Sequence, residues 1–77
     1  MSKTMEINLT GLPWPINLLH CSRQIDAMQP REKLAIALSD KYIKENLIQF
    51  LHALPGLSFN VSSAGRGYTI NVEKAEV

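Results

Sequence analysis

Lys33-Leu34-Ala35-Ile36-Ala37-Leu38-Ser39-Asp40 is the stretch from which the fold is read. Leu34, Ile36 and Leu38 fall on one side of an extended chain and Lys33, Ala35 and Ala37 on the other. That is the period-two pattern of a strand with one face in a core. On both sides of it the period becomes helical. Upstream, Leu18, Cys21, Ile25 and Met28 recur at spacings of three and four, with Leu19 and Ser22 flanking and His20, Arg23, Gln24 and Asp26 on the wetter side. Pro30 is expected to end this helix, because it has no N–H to donate and restrains the residue before it. Downstream, Ser39 or Asp40 supplies an oxygen for the unpaired amides of a helix start. Ile43, Leu47, Phe50, Leu51 and Leu54 then repeat at helical spacing up to Pro55-Gly56.

The two ends of the chain are extended. Glu6-Ile7-Asn8-Leu9-Thr10 alternates polar and apolar, and Gly11 and Pro13 break the pattern. A helix start is predicted near Trp14, with Pro15 at a first helical position, where its fixed φ and missing N–H cost little. At the other end, Leu57–Val61 and Tyr68–Val72 alternate around a turn containing Gly65-Arg66-Gly67, which predicts a terminal hairpin. The order is therefore βαβαββ. Two strands joined by a helix imply a parallel, right-handed unit. The outward positions Glu6, Asn8, Lys33, Ser58, Asn60, Thr69 and Asn71 are polar, so one sheet face meets water and both helices pack on the other. The expected fold is α+β, a two-layer sandwich of two helices on a mixed four-stranded sheet.

The 77 residues suffice for one small domain, taken as 1–77, and not for separate catalytic and binding domains. With 45% hydrophobic and 19% charged residues, the composition is that of an ordinary globular protein. No apolar run approaches the roughly 20 residues needed to cross a bilayer. Met1-Ser2-Lys3-Thr4-Met5-Glu6 lacks an apolar core and a small-residue cleavage site, which points to the cytoplasm. Eight basic against seven acidic residues give a net charge of +1 without clusters, which disfavours nucleic acid as a direct partner. One cysteine excludes an internal disulfide and any all-cysteine metal site.

Gly11-Leu12-Pro13-Trp14-Pro15-Ile16-Asn17-Leu18-Leu19 resembles the Gly-Leu-Pro-Cys-Pro-x-Pro-Leu-Leu signature of the TusA/SirA sulfurtransferase family. The likeness continues into Leu34-Ala35-Ile36-Ala37-Leu38-Ser39-Asp40, which is similar to the family's Leu-x-Val-x-Ala-Thr/Ser-Asp, and Phe50 matches an aromatic position of its second helix. The departures are Trp14 for the cysteine, Asn17 for the second proline, Lys41 for the proline after the aspartate and Pro55 for a glycine. The resemblance implies the same sandwich and a protein partner, such as a cysteine desulfurase or another sulfur-relay component. In the family the cysteine at the helix start carries a persulfide, which requires a thiolate. Indole has no comparable nucleophile, so a non-catalytic interaction or regulatory module is expected.

The residues expected to face a partner are Pro13, Trp14, Pro15 and Asn17, with Trp14 as anchor, since exposed tryptophan favours interfaces. A packed Trp14 that merely closes the loop is the alternative. Cys21 is the remaining thiol: on the apolar stripe it reads as structural, and as a displaced sulfur carrier only if the helix turns it outward. The free amides near Ile16 and Asn17 offer an anion or metabolite site, weakened by the lack of nearby basic residues. His20 and His52 lack partners at metal-ligand spacing, and Arg66, Lys44 and Glu45 read as solvated charges. No cofactor and no metal are expected.

Overall fold

The computed structural model describes residues 4–75; Met1–Lys3, part of the segment read above for secretion signals, lie outside them. Its elements follow in the order β1 (Thr4–Asn8), α1 (Ile16–Ala27), β2 (Lys33–Leu38), α2 (Lys41–Ala53), β3 (Leu57–Ala64) and β4 (Gly67–Lys74). The strands form one sheet in the order β1-β2-β4-β3, with β1 parallel to β2 and the other pairs antiparallel. Two helices and a mixed open sheet make the two-layer α+β sandwich that the periodicities imply. Among the described residues no helix is long and apolar enough to cross a membrane.

Register shows how the alternation becomes two faces. Met5, Leu34, Val72 and Phe59 lie in one row across the sheet, and Ile7, Ile36, Ile70 and Val61 in the next. These rows meet Cys21, Ile25 and Met28 of the α1 side and Leu47 and Leu51 of α2 in one hydrophobic cluster. On the opposite face the rows are Thr4-Lys33-Glu73-Ser58 and Glu6-Ala35-Asn71-Asn60, mostly polar and open to water. One-residue slippage would exchange the two faces, so burial of one face fixes the register.

The boundaries differ from expectation at several points, each for a local reason. β1 starts and ends two residues earlier than predicted, because Asn8 turns the chain: its Oδ1 accepts from the N–H of Thr10 at 2.9 Å and from the Thr10 hydroxyl. Leu9 still donates to the Ala37 carbonyl at 2.8 Å and stays buried. Helix α1 starts at Ile16 rather than near Trp14, and Pro15 is its N-cap residue. It ends before Pro30 can act, since Met28 is already extended. The stripe also shifts: Leu18 is half-buried, whereas Asn17 is completely buried beside Cys21 and Ile25. β3 and β4 run to a two-residue loop, Gly65-Arg66, between the paired Ala64 and Gly67. Gly65 has φ +62°, a value natural only for glycine at the first position of such a loop.

Asp40 caps α2 as its position suggests, its carboxylate accepting from the amides of Tyr42 at 2.8 Å and Ile43 at 3.1 Å. Helix α1 is closed at its far end by a residue from another element. The ammonium of Lys74 in β4 donates to the carbonyls of Met28 at 2.8 Å and Ile25 at 3.3 Å. A positive charge there meets the negative end of the helix dipole.

Candidate functional site

The carboxyl ends of the parallel strands β1 and β2 and the beginnings of α1 and α2 lie at the same end of the sandwich. A groove of about 590 Å³ opens there, between the Thr10–Trp14 loop and the Leu38–Ile43 segment, with Trp14 and Tyr42 both in its lining. Crevices beyond the carboxyl ends of parallel strands are the usual place for binding in α/β arrangements. Apolar exposure is concentrated at this end: Trp14 is 43% exposed, Tyr42 80%, and Ile16 and Leu19, one turn apart on α1, are open as well. Among the described residues, Val61 of β3 is the one exposed large hydrophobic side chain that lies elsewhere. Pro13 and Pro15 are exposed on either side of the indole.

Asn17, grouped above with the partner-facing residues, is instead at 0% exposure. Its Nδ2 donates to the Leu12 carbonyl at 3.2 Å, and its Oδ1 accepts from the Leu18 amide at 2.8 Å. The side chain therefore ties the loop under the groove to the first turn of α1. Burying a polar amide is tolerated because its hydrogen bonds are made. A proline at this position would supply neither of them.

Three of the amides at the start of α1, that of Asn17 among them, are engaged. Asn17 donates to the Pro13 carbonyl at 3.1 Å, Leu18 to Asn17 Oδ1, and Leu19 to the Pro15 carbonyl at 3.1 Å. Across the groove, the amides of Tyr42 and Ile43 are taken by the Asp40 carboxylate, which adds negative charge. This arrangement disfavours an anion, despite the two helix starts.

Cys21 is at 0% exposure inside the core. Burial without a compensating cation pushes its thiol from 9.0 up to about 11. Near neutral pH it is a protonated side chain that neither a reagent nor a docking protein meets, which speaks against the displaced-carrier reading of Cys21.

The other polar residues singled out in the sequence lie apart. His20 is exposed on α1, and His52 stands edge-on to Phe59 with ring centroids 5.3 Å apart. Lys44, instead of being freely solvated, places its ammonium 4.5 Å from the centre of the Tyr68 ring. Arg66 projects from the hairpin loop, and Glu45 is exposed. No group of three or more His, Cys, Asp or Glu able to hold a metal occurs among the described residues. Sequence reasoning passed over Tyr42. Its signal was the place itself: an aromatic residue two positions after a helix cap, outside the apolar stripe of its helix.

Comparison with protein-family models, curated proteins and solved structures gives no match for this chain.

Proposed function

We propose that this protein is a non-catalytic interaction module with a TusA/SirA-like architecture, docking a protein partner through the groove end of the sandwich. The observation that carries the reading is the gathering of Trp14, Ile16, Leu19 and Tyr42 around the start of the two helices, while the single thiol is sealed in the core. Rigid aromatic and aliphatic side chains of this kind anchor protein interfaces at a low cost in side-chain entropy. Pro13 and Pro15 flank the anchor and restrict the loop that presents it.

The partner class follows from the resemblance: a component of a sulfur relay, such as a cysteine desulfurase, bound without sulfur being accepted. Incubation with a desulfurase and cysteine, followed by mass spectrometry, is expected to leave the mass unchanged while the two proteins co-sediment. Trp14→Ala and Tyr42→Ala are expected to weaken that complex by about 1–3 kcal/mol each, the range for interface anchors. Sulfur gained by the native chain and lost in Cys21→Ser would instead establish a carrier. Unchanged association in folded Trp14→Ala would remove the anchor.

A further inference from the structure

We infer that the outer edge of β3 pairs with the same edge of a second copy of this chain, joining two four-stranded sheets across a twofold axis. Strand β3 is last in the sheet order, and its eight residues pair with β4 without interruption from Leu57 to Ala64. Proteins guard such edges with charges, prolines, bulges or short strands. Leu57-Ser58-Phe59-Asn60-Val61-Ser62-Ser63-Ala64 has no charge, no proline and no bulge. The opposite edge, β1, is five residues long and carries Glu6.

The direction of the free backbone groups follows from the ladder. The Lys74 amide donates to the Glu32 carbonyl, on the β2 side of β4. Its counterpart Leu57 therefore does not exchange hydrogen bonds with β4, and by antiparallel alternation neither do Phe59, Val61 and Ser63. Their N–H and C=O groups point away from the sheet, where only another strand or water satisfies them.

The sequence of the strand says which partner fits. Ser58-Phe59-Asn60-Val61-Ser62 reads nearly the same in both directions. Antiparallel pairing about Asn60 sets Ser58 opposite Ser62 of the second copy, Phe59 opposite Val61, and Asn60 opposite itself. Apolar residues then meet apolar ones on the helix side, and the row Ile7-Ile36-Ile70-Val61 continues into Phe59 of the other copy. Val61, 37% exposed at the end of that row, gains the cover it lacks. On the open face Asn60 already accepts from Asn71 Nδ2 at 3.3 Å, which leaves its own amide N–H groups for its twin across the axis. Such an interface is isologous, as a twofold dimer requires.

Sedimentation of the full chain over a range of concentrations tests this, together with amide exchange. The expected result is a reversible dimer, with the Phe59 and Val61 amides protected as association proceeds. Asn60→Lys opposes two ammonium groups at the axis and is expected to weaken the dimer about tenfold or more, whereas Thr4→Lys, an equal change of charge on the other edge, leaves it intact. A chain that stays monomeric at about 1 mM overturns the inference. So does a dimer unaffected by Asn60→Lys, one weakened equally by Thr4→Lys, or one whose Phe59 and Val61 amides exchange freely.

Discussion

The ammonium of Lys74 reaches the carbonyl of Met28 at 2.8 Å, so the last strand closes the end of a helix formed 46 residues earlier in the chain. The bond joins the two layers of the sandwich at the side opposite the groove. It also fills a gap in the helix itself, because the last turn of α1 contains no basic residue.

Lys74→Met keeps the aliphatic stem and removes the donor. Charge-assisted hydrogen bonds and a favourable dipole contact together predict a loss of roughly 1–2 kcal/mol, discounted for the partial exposure of the group. Urea unfolding should show this as a lower midpoint at unchanged slope. An unaltered midpoint would mean that water replaces the ammonium at no cost.

Asp40→Ala strips the cap from α2 and leaves the Tyr42 and Ile43 amides to solvent. The expected loss is about 1 kcal/mol, with Asp40→Asn losing much less, since asparagine caps nearly as well. Thermal unfolding of the two variants side by side distinguishes the cap from the carboxylate charge.

The difference between these two residues shows what the sequence could convey. Asp40 acts on amides two and three positions away, so its role is legible from local order, as are the strand faces, which need only a period of two. Lys74 acts across the fold, and nothing near it in the sequence announces the carbonyls of Ile25 and Met28. Asn17 was misplaced for a related reason. Polarity assigns a residue to the surface unless the partners that satisfy it are known, and Leu12 becomes a partner only when the loop folds back. Trp14 was legible as an unusual residue at a helix start, but its companion Tyr42 comes from the second helix and joins it only in three dimensions.

Cys21 makes stability depend on alkaline pH. Its folded pKa is about 11 against an ordinary 9.0, so the unfolded chain releases the proton first as pH rises. Stability from the buried neutral thiol is fully present below pH 9 and is lost between there and pH 11. The total is about 2–3 kcal/mol, from 1.36 kcal/mol for each pH unit of difference. Cys21→Ala should be less stable near neutrality but lose this segment of the pH profile. Persistence of the full alkaline loss in that variant would place its origin in another group.

Asn17→Ala deletes the amide that holds the Leu12 carbonyl. The bond is only part-buried, so the acceptor left unpaired costs about 1–2 kcal/mol, the lower part of the range for buried groups. The loop it anchors also lines the groove, so if the proposed docking takes place there, partner affinity should fall along with stability. Asn17→Asp, which keeps the Leu18 acceptor and loses the donor to Leu12, should reproduce the loss; full stability in Asn17→Asp would show that the Leu12 bond contributes nothing.

Trp14→Cys places a thiol at the position where the resembled signature has one, and it probes the site without relying on any partner. Trp14 is exposed, two residues before α1, whereas Cys21 is enclosed. An aromatic disulfide reagent should therefore modify Trp14→Cys rapidly and once per chain, while the native protein reacts only on unfolding. The amides of Asn17, Leu18 and Leu19 are already engaged by Pro13, Asn17 and Pro15. They are poorly placed to hold a thiolate, so the new thiol should titrate closer to an ordinary cysteine than to one activated by a helix start. Reaction rates measured across pH give that value directly. A strongly acidic thiol would show that those amides turn toward it and that this helix start can activate a cysteine placed there. An ordinary one means that the hydrogen bonds around Asn17 leave this helix start unable to activate a thiol, so that a cysteine here does not by itself make a carrier.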